Sequence, residues 1–159
     1  MIILSVYEGK GDEKMETMLQ NKFNIRDTKR FYSNINDKAL NGIEIITYNA
    51  MGKVGEVSHL NKRIVDFLFD SLKFNITEEF DEELNIYTVS ADDINIYGEG
   101  STKTEAIDDL LTSIIEYAAI YVEQIDIFSK VEDITKQGYM LKVLRCGSDK
   151  EKLRKVLGL

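Results

Sequence analysis

Residues 23–60 read FNIRDTKRFYSNINDKALNGIEIITYNAMGKVGEVSHL, and the order of patterns within them decides the fold. Residues 23–26 predict a brief strand. Asp27 or Thr28 can then cap a helix that runs through Asn41, because Phe31, Ile35 and Ala39 recur at i, i+4 and i+8 and give it one apolar side. Asn41-Gly42 is a helix stop, since glycine enters the left-handed conformation cheaply. Residues 43–49 are dense in β-branched and aromatic side chains and predict a strand. Residues 50–53, with Gly52, predict a hairpin turn, and residues 54–60 return as a second strand with Val54, Glu56 and Ser58 on one face. Asn61 caps a helix over residues 62–73, striped by Ile64, Val65, Leu68 and Leu72.

Ahead of this block, residues 1–7 alternate as a half-buried strand, and residues 13–22 predict a short helix. Behind it, residues 75–83 hold five acidic side chains and little apolar material, the pattern of a domain boundary. Strands are expected over 84–90 and 94–97, with a turn at 91–93. Gly98-Glu99-Gly100 then leads into a helix whose start carries the capping-box pair Thr102 and Glu105. Ala106, Leu110, Ile114, Tyr117, Tyr121 and Ile125 extend that helix to about Phe128. A strand over 139–146 and a closing helix over 149–157, capped by Ser148, complete the reading. The expected fold class is α+β: a β-α-β-β-α module, then a smaller β-β-long α-β-α module.

The net charge of −8 is unevenly distributed. Residues 1–75 carry 11 Lys/Arg and 10 Asp/Glu; residues 76–159 carry 9 and 18. Arg26, Lys29 and Arg30 cluster at the start of the first helix of the block. In a dimer two such clusters could straddle one duplex, and the competing reading is a solvated basic face. The single cysteine, Cys146, can form no internal disulfide and reads as a small buried hydrophobe. The single histidine, His59, has no cysteine or histidine partner for a metal and no nucleophile relay, so it reads as structural. Adjacent acids such as Asp92-Asp93 and Asp108-Asp109 point in different directions and face solvent. Gly98 to Thr102 lacks the Lys-Ser/Thr of a phosphate loop. A small hydrolytic enzyme would need a histidine or metal site that these residues do not supply. No apolar run approaches the roughly 20 residues of a membrane span, and residues 1–4 lack a basic leader. The expectation is a cytoplasmic, non-catalytic binding protein with no cofactor and no membrane partner.

Asn24-Ile25-Arg26-Asp27-Thr28-Lys29-Arg30, Ser33, Gly42, residues 43–48 and Gly52-Lys53 together resemble the Phd/YefM antitoxin family, in which a strand, a helix ending in Gly, a hairpin and a second helix follow in this order. Gly98-Glu99-Gly100, Ala106-Ile107-Asp108-Asp109-Leu110, Glu116-Tyr117-Ala118 and Tyr121 resemble the second domain of longer Phd-like antitoxins from RelE/RelB-type pairs, and the strand-to-helix passage is similar to that of HicB-like antitoxins. The resemblance implies an N-terminal extension over 1–22, a dimerisation and DNA-binding module over 23–75, and a toxin-neutralising module over 84–159. It implies a homodimer, operator DNA held by Arg26, Lys29, Arg30 and Lys53, and autorepression. It also implies a cognate protein toxin, a basic RNase, met by Tyr117, Tyr121, Glu116, Asp126 and Phe128, although the tyrosine and isoleucine series on the long helix reads mostly as core, with a partner groove as the alternative. The sequence pI of about 4.8 and a neutral hairpin tip of Asn49, Ala50 and Met51 favour a second reading, a protein-interaction module of the same fold that does not bind DNA.

Overall fold

The computed structural model describes residues 21–49 and 55–159, so the expectations for residues 1–20 and for the hairpin turn lie outside the described residues. The chain is α+β, as expected, and divides into two compact units, Met1–Leu68 and Phe69–Leu159.

In the first unit, strand β1 (Lys22–Asn24) pairs parallel with β2 (Ile45–Tyr48), which pairs antiparallel with β3 (Glu56–His59). Helices α1 (Ile25–Arg30) and α2 (Tyr32–Leu40) connect β1 to β2, and α3 (Lys62–Phe69) follows β3. The expected order of strand, helix, hairpin strands and helix is therefore present. The first cap is Asn24 rather than Asp27 or Thr28. Its Oδ1 accepts the Asp27 amide at 3.0 Å, its Nδ2 donates to the Asp27 carboxylate, and the Thr28 hydroxyl reaches back to the Asn24 carbonyl. Starting earlier, the helix runs out at Phe31 and restarts at Tyr32. Asn41-Gly42 stops α2 as expected: Gly42 has φ +92°, its amide bonds the Ala39 carbonyl, and the Ile43 amide bonds that of Lys38. Ile35, Ala39, Ile45 and Thr47 supply the buried side chains.

Helix α3 begins where Asn61 accepts the Arg63 amide at 2.8 Å, but it ends at Phe69, four residues short of the expected Lys73. Phe69 and the residues after it already belong to the second unit. Lys142 Nζ donates to the Phe69 and Leu72 carbonyls, the Tyr139 hydroxyl donates to the Lys73 carbonyl at 3.0 Å, and the Phe74 ring packs on Tyr139. Side chains satisfy carbonyls that another helical turn would have used.

The second unit is an antiparallel meander of β4 (Ile76–Asp81), β5 (Ile86–Ala91) and β6 (Ile96–Gly100), covered on one face by the 21-residue α4 (Lys103–Glu123). Helices α5 (Ile125–Val131), α6 (Ile134–Leu144) and α7 (Lys150–Leu157) follow. The unit begins at Phe69, well before residue 84, and the acidic stretch expected to be a boundary carries its first strand. Ile76, Glu78 and Phe80 lie on the helix side of β4, whereas Thr77, Glu79 and Asp81 lie on the other. An edge strand with one solvated face tolerates such acids, and they discourage pairing with other chains. The expected turn at 91–93 is a 3-10 turn over Asp92–Ile94, closed by Asn95 in the left-handed region.

Three helical boundaries differ from expectation. The long helix ends at Glu123, and Gln124 (φ −108°, ψ 26°) separates it from α5. The strand expected over 139–146 is instead the C-terminal part of α6. Asp133 caps that helix by accepting the Thr135 and Lys136 amides at 2.8 and 2.9 Å, and Tyr139, Met140 and Val143 are buried at helical rather than alternating spacing. Helix α7 is capped by Asp149, not Ser148, through the Lys152 amide at 3.0 Å.

The capping box is as expected. Thr102 Oγ1 accepts the Glu105 amide at 3.2 Å, and Glu105 Oε2 accepts from the Ser101 hydroxyl at 2.5 Å and from the Ser101 and Thr102 amides. The Ser101 hydroxyl above all, with those amides, holds the Glu105 carboxyl below its ordinary value. A carboxyl with a depressed folded-state pKa contributes stability above its unfolded value and loses that contribution as pH falls through the folded one. Thr102→Ala, which removes the acceptor of the Glu105 amide, is expected to cost about 1 kcal/mol in urea unfolding. Glu105→Gln, which removes the carboxylate from its donors, should destabilise at neutral pH and progressively less in acid, where Glu105 is itself protonated.

Candidate functional site

Helix α1 places Arg26, Lys29 and Arg30 at i, i+3 and i+4, which brings the three cations onto one side of a single helical turn. All three are exposed, and none forms an ion pair among the described residues. The Arg30 guanidinium lies 5.1 Å from the centre of the Phe31 ring, which limits its swing. Elsewhere in the unit Lys22 is tied to Glu56 and Lys38 lies over the Phe23 ring. Lys53 lies outside the described residues. His59 bonds the Thr47 hydroxyl through Nε2 at 3.0 Å across the β2–β3 pair, a structural placement.

In the second unit the five expected partner contacts separate. Tyr121 is 3% exposed and belongs to the core, so it has no surface to offer a partner. Its ring stacks on Phe128 at 5.0 Å, and Tyr117 meets the two rings at 6.3 and 5.9 Å. Tyr117 and Phe128 are half-buried, whereas Glu116 and Asp126 are exposed. Behind the rings, Lys136 bonds Glu132 at 2.8 Å and lies 5.6 Å from the Tyr117 ring centre. Burial works against the Lys136 charge, yet Glu132 and the Tyr117 hydroxyl outweigh it and raise the pKa. Burial, seconded by Glu132, pushes the Tyr121 hydroxyl up. This polar knot fixes α5 against α6, helped by Gln137, whose amide donates to the Ser129 and Glu132 carbonyls.

The outer surfaces of this unit are acidic and, in places, apolar. Residues 76–133 contain 16 Asp/Glu against two lysines. The sheet face turned away from α4 carries Glu79, Asp81 and Glu99 together with the exposed Tyr97. On α5 and the start of α6, Ile127, Val131 and Ile134 are exposed. Sequence reading passed over these three because it joined α5 to the long helix. The signal available was the i, i+4 pair Ile127 and Val131 on the side of α5 away from Ser129. Cys146 is buried, and burial pushes its thiol up, as suits a packing residue. Among the described residues no group of three or more His, Cys, Asp or Glu is placed to hold a metal, and no helix is long and apolar enough to cross a membrane.

Comparison with known proteins bears on both units. The crystal structure described as the antitoxin part of a proposed toxin/antitoxin system from Syntrophomonas wolfei subsp. wolfei is similar, with a TM-score of 0.64 and 18% identity. The match covers 86% of this chain and 96% of that one. At that identity the likeness concerns the fold. No curated protein matches the chain. The Phd-like family described as the antitoxin of RelE/RelB toxin–antitoxin systems matches residues 18–158. With nearly the whole of its length in that match, and with the fold to go with it, the chain belongs to the Phd-like antitoxin family of RelE/RelB toxin–antitoxin systems.

Proposed function

We propose that this antitoxin neutralises a basic, RNA-cleaving toxin by covering its nucleic-acid-binding surface with the acidic second unit, and represses its own operon by binding operator DNA as a homodimer. The observation that carries the first half is the charge of residues 76–133: 16 acids against two lysines. Such a surface attracts a basic partner over long range and competes for the groups that hold RNA phosphates. No covalent chemistry is needed. For the second half, Arg26, Lys29 and Arg30 give each copy one exposed cationic turn. Tyr32, Leu40, Val57 and Phe67 are exposed among the described residues of the first unit, and pairing of two such units would cover apolar surface of this kind.

Co-expression with the product of the adjacent gene tests the first half. Growth arrest caused by that product should be relieved by this chain, and arrest that persists at matched expression would end the reading. For the second half, a gel shift on the chain's own promoter should show binding that weakens with salt. Arg26→Ala, Lys29→Ala and Arg30→Ala combined should weaken it at least tenfold and flatten the salt slope by about 1 for each phosphate left without its cation. Equal binding by this variant and the wild type would remove these residues from DNA recognition. No shift at all would favour the interaction module without DNA binding, for which the acidic pI speaks.

A further inference from the structure

Apolar side chains that a stable helix keeps out of its own core mark a surface made for something else. Helix α5 divides its side chains in two. Phe128 packs into the ring cluster with Tyr121 and Tyr117, and that contact anchors the helix. Ile127 and Val131, one turn apart, are nevertheless 58% and 71% exposed, and Ile134, at the first position of α6, is 81% exposed. The Gln137 bonds to Ser129 and Glu132 and the Lys136–Glu132 pair hold this corner in place, so the three side chains are presented rather than loosely hung. Their surroundings carry one sign. Residues 116–134 contain five acids and one lysine, and Glu116, Glu123, Asp126 and Asp133 are all exposed.

We infer that Ile127, Val131 and Ile134 form the apolar anchor by which the second unit grips its partner, a basic protein that sets apolar side chains within a cationic surround. The inference rests on the antitoxin reading and deepens it by naming the surface. An apolar centre within a polar rim is the anatomy of a specific interface, with the centre governing dissociation and the charged rim governing encounter. A second copy of this chain is the poorer occupant. A two-fold contact would bring the same patch, and with it the same acids, against itself. Repulsion between like charges would then oppose the apolar gain. The partner contact moves accordingly from Tyr121, which is core, to the neighbouring helix.

Binding of the full-length chain to the purified product of the adjacent gene tests this, alongside co-expression rescue. Ile127→Lys with Val131→Lys keeps good helix formers at exposed positions and sets two cations against a basic partner. It should weaken binding about 30-fold or more, the range of an interfacial anchor, with an unchanged thermal melt and an unchanged operator gel shift. The milder Ile127→Ala with Val131→Ala should lose about fivefold to tenfold, and Leu84→Lys, exposed on the β4–β5 turn, should bind as the wild type. Wild-type binding with undiminished binding by both double variants would overturn the anchor and leave the antitoxin reading standing. If the variants shift the oligomeric state in light scattering without weakening partner binding, the patch is a contact between copies and the inference falls. If the wild type itself neither binds nor rescues, the antitoxin reading fails first and the anchor goes with it.

Discussion

Replacing Gly98 by Ala is expected to destabilise the second unit by about 3 kcal/mol or more, at the upper end of what overpacking costs. Strand β6 lies so close to α4 that a Cβ on Gly98 would run into the Leu110 amide nitrogen. It would also stand 2.5 Å from the Ala106 carbonyl oxygen and 2.6 Å from Leu110 Cα. These are backbone atoms of a 21-residue helix, so no rotamer change relieves the clash. Gly100 is under the same pressure, with the Ala106 nitrogen and the Glu105 Cβ each 2.5 Å from the position of an added methyl. Gly55→Ala, in open space, is the matched control and should change stability by well under about 1 kcal/mol. Urea unfolding followed by far-UV circular dichroism reads the difference. A Gly98→Ala protein as stable as the control would show that the strand and helix can separate at little cost.

The second large effect is expected at Tyr121. Truncation to Ala removes a ring that is 3% exposed and stacked on Phe128, and aromatic-to-alanine changes in a core cost about 3–5 kcal/mol. Any loss of partner binding by Tyr121→Ala would therefore arrive with a loss of fold. Tyr121→Phe keeps the ring stack and should stay within about 1 kcal/mol of the wild type. It should also bind the partner as well as the wild type does. Weaker binding by Tyr121→Phe with an unchanged melt would restore the hydroxyl to the interface. Paired denaturation and binding measurements on the two variants separate packing from recognition.

The residues of the first unit carried their own instructions. Asn41-Gly42 stops a helix wherever it is placed, because the left-handed turn is a property of the glycine backbone. Residues 45–48 form a strand because β-branched and aromatic side chains favour a pleated, half-buried surface, and residues 56–59 return from the turn to pair with them. Thr102 and Glu105 likewise form their box from atoms three residues apart. The basic turn at Arg26, Lys29 and Arg30 was legible for the same local reason: the spacing alone puts the three on one helical side. The family, too, was legible from the order of these patterns along the chain.

Other features depended on groups distant in sequence. Residues 139–146 have strand-like composition, and their helix is secured by the Asp133 cap and by burial of Tyr139, Met140 and Val143 in a shared core. Residues 76–81 have loop-like composition and become a strand because β5 offers an edge to pair with. Helix α3 gives way after Phe69, where Lys142, some 70 residues on, bonds the Phe69 and Leu72 carbonyls. The separation of Tyr121 from Ile127 and Val131, core ring from exposed anchor, turns on the break at Gln124. Local spacing determined what each short segment could be and to which family the whole belongs. Which alternative a segment adopted, and which apolar side chains were left outside, was decided only by tertiary packing, because burial and distant hydrogen-bond partners outweigh the fractions of a kcal/mol per residue by which local propensities differ.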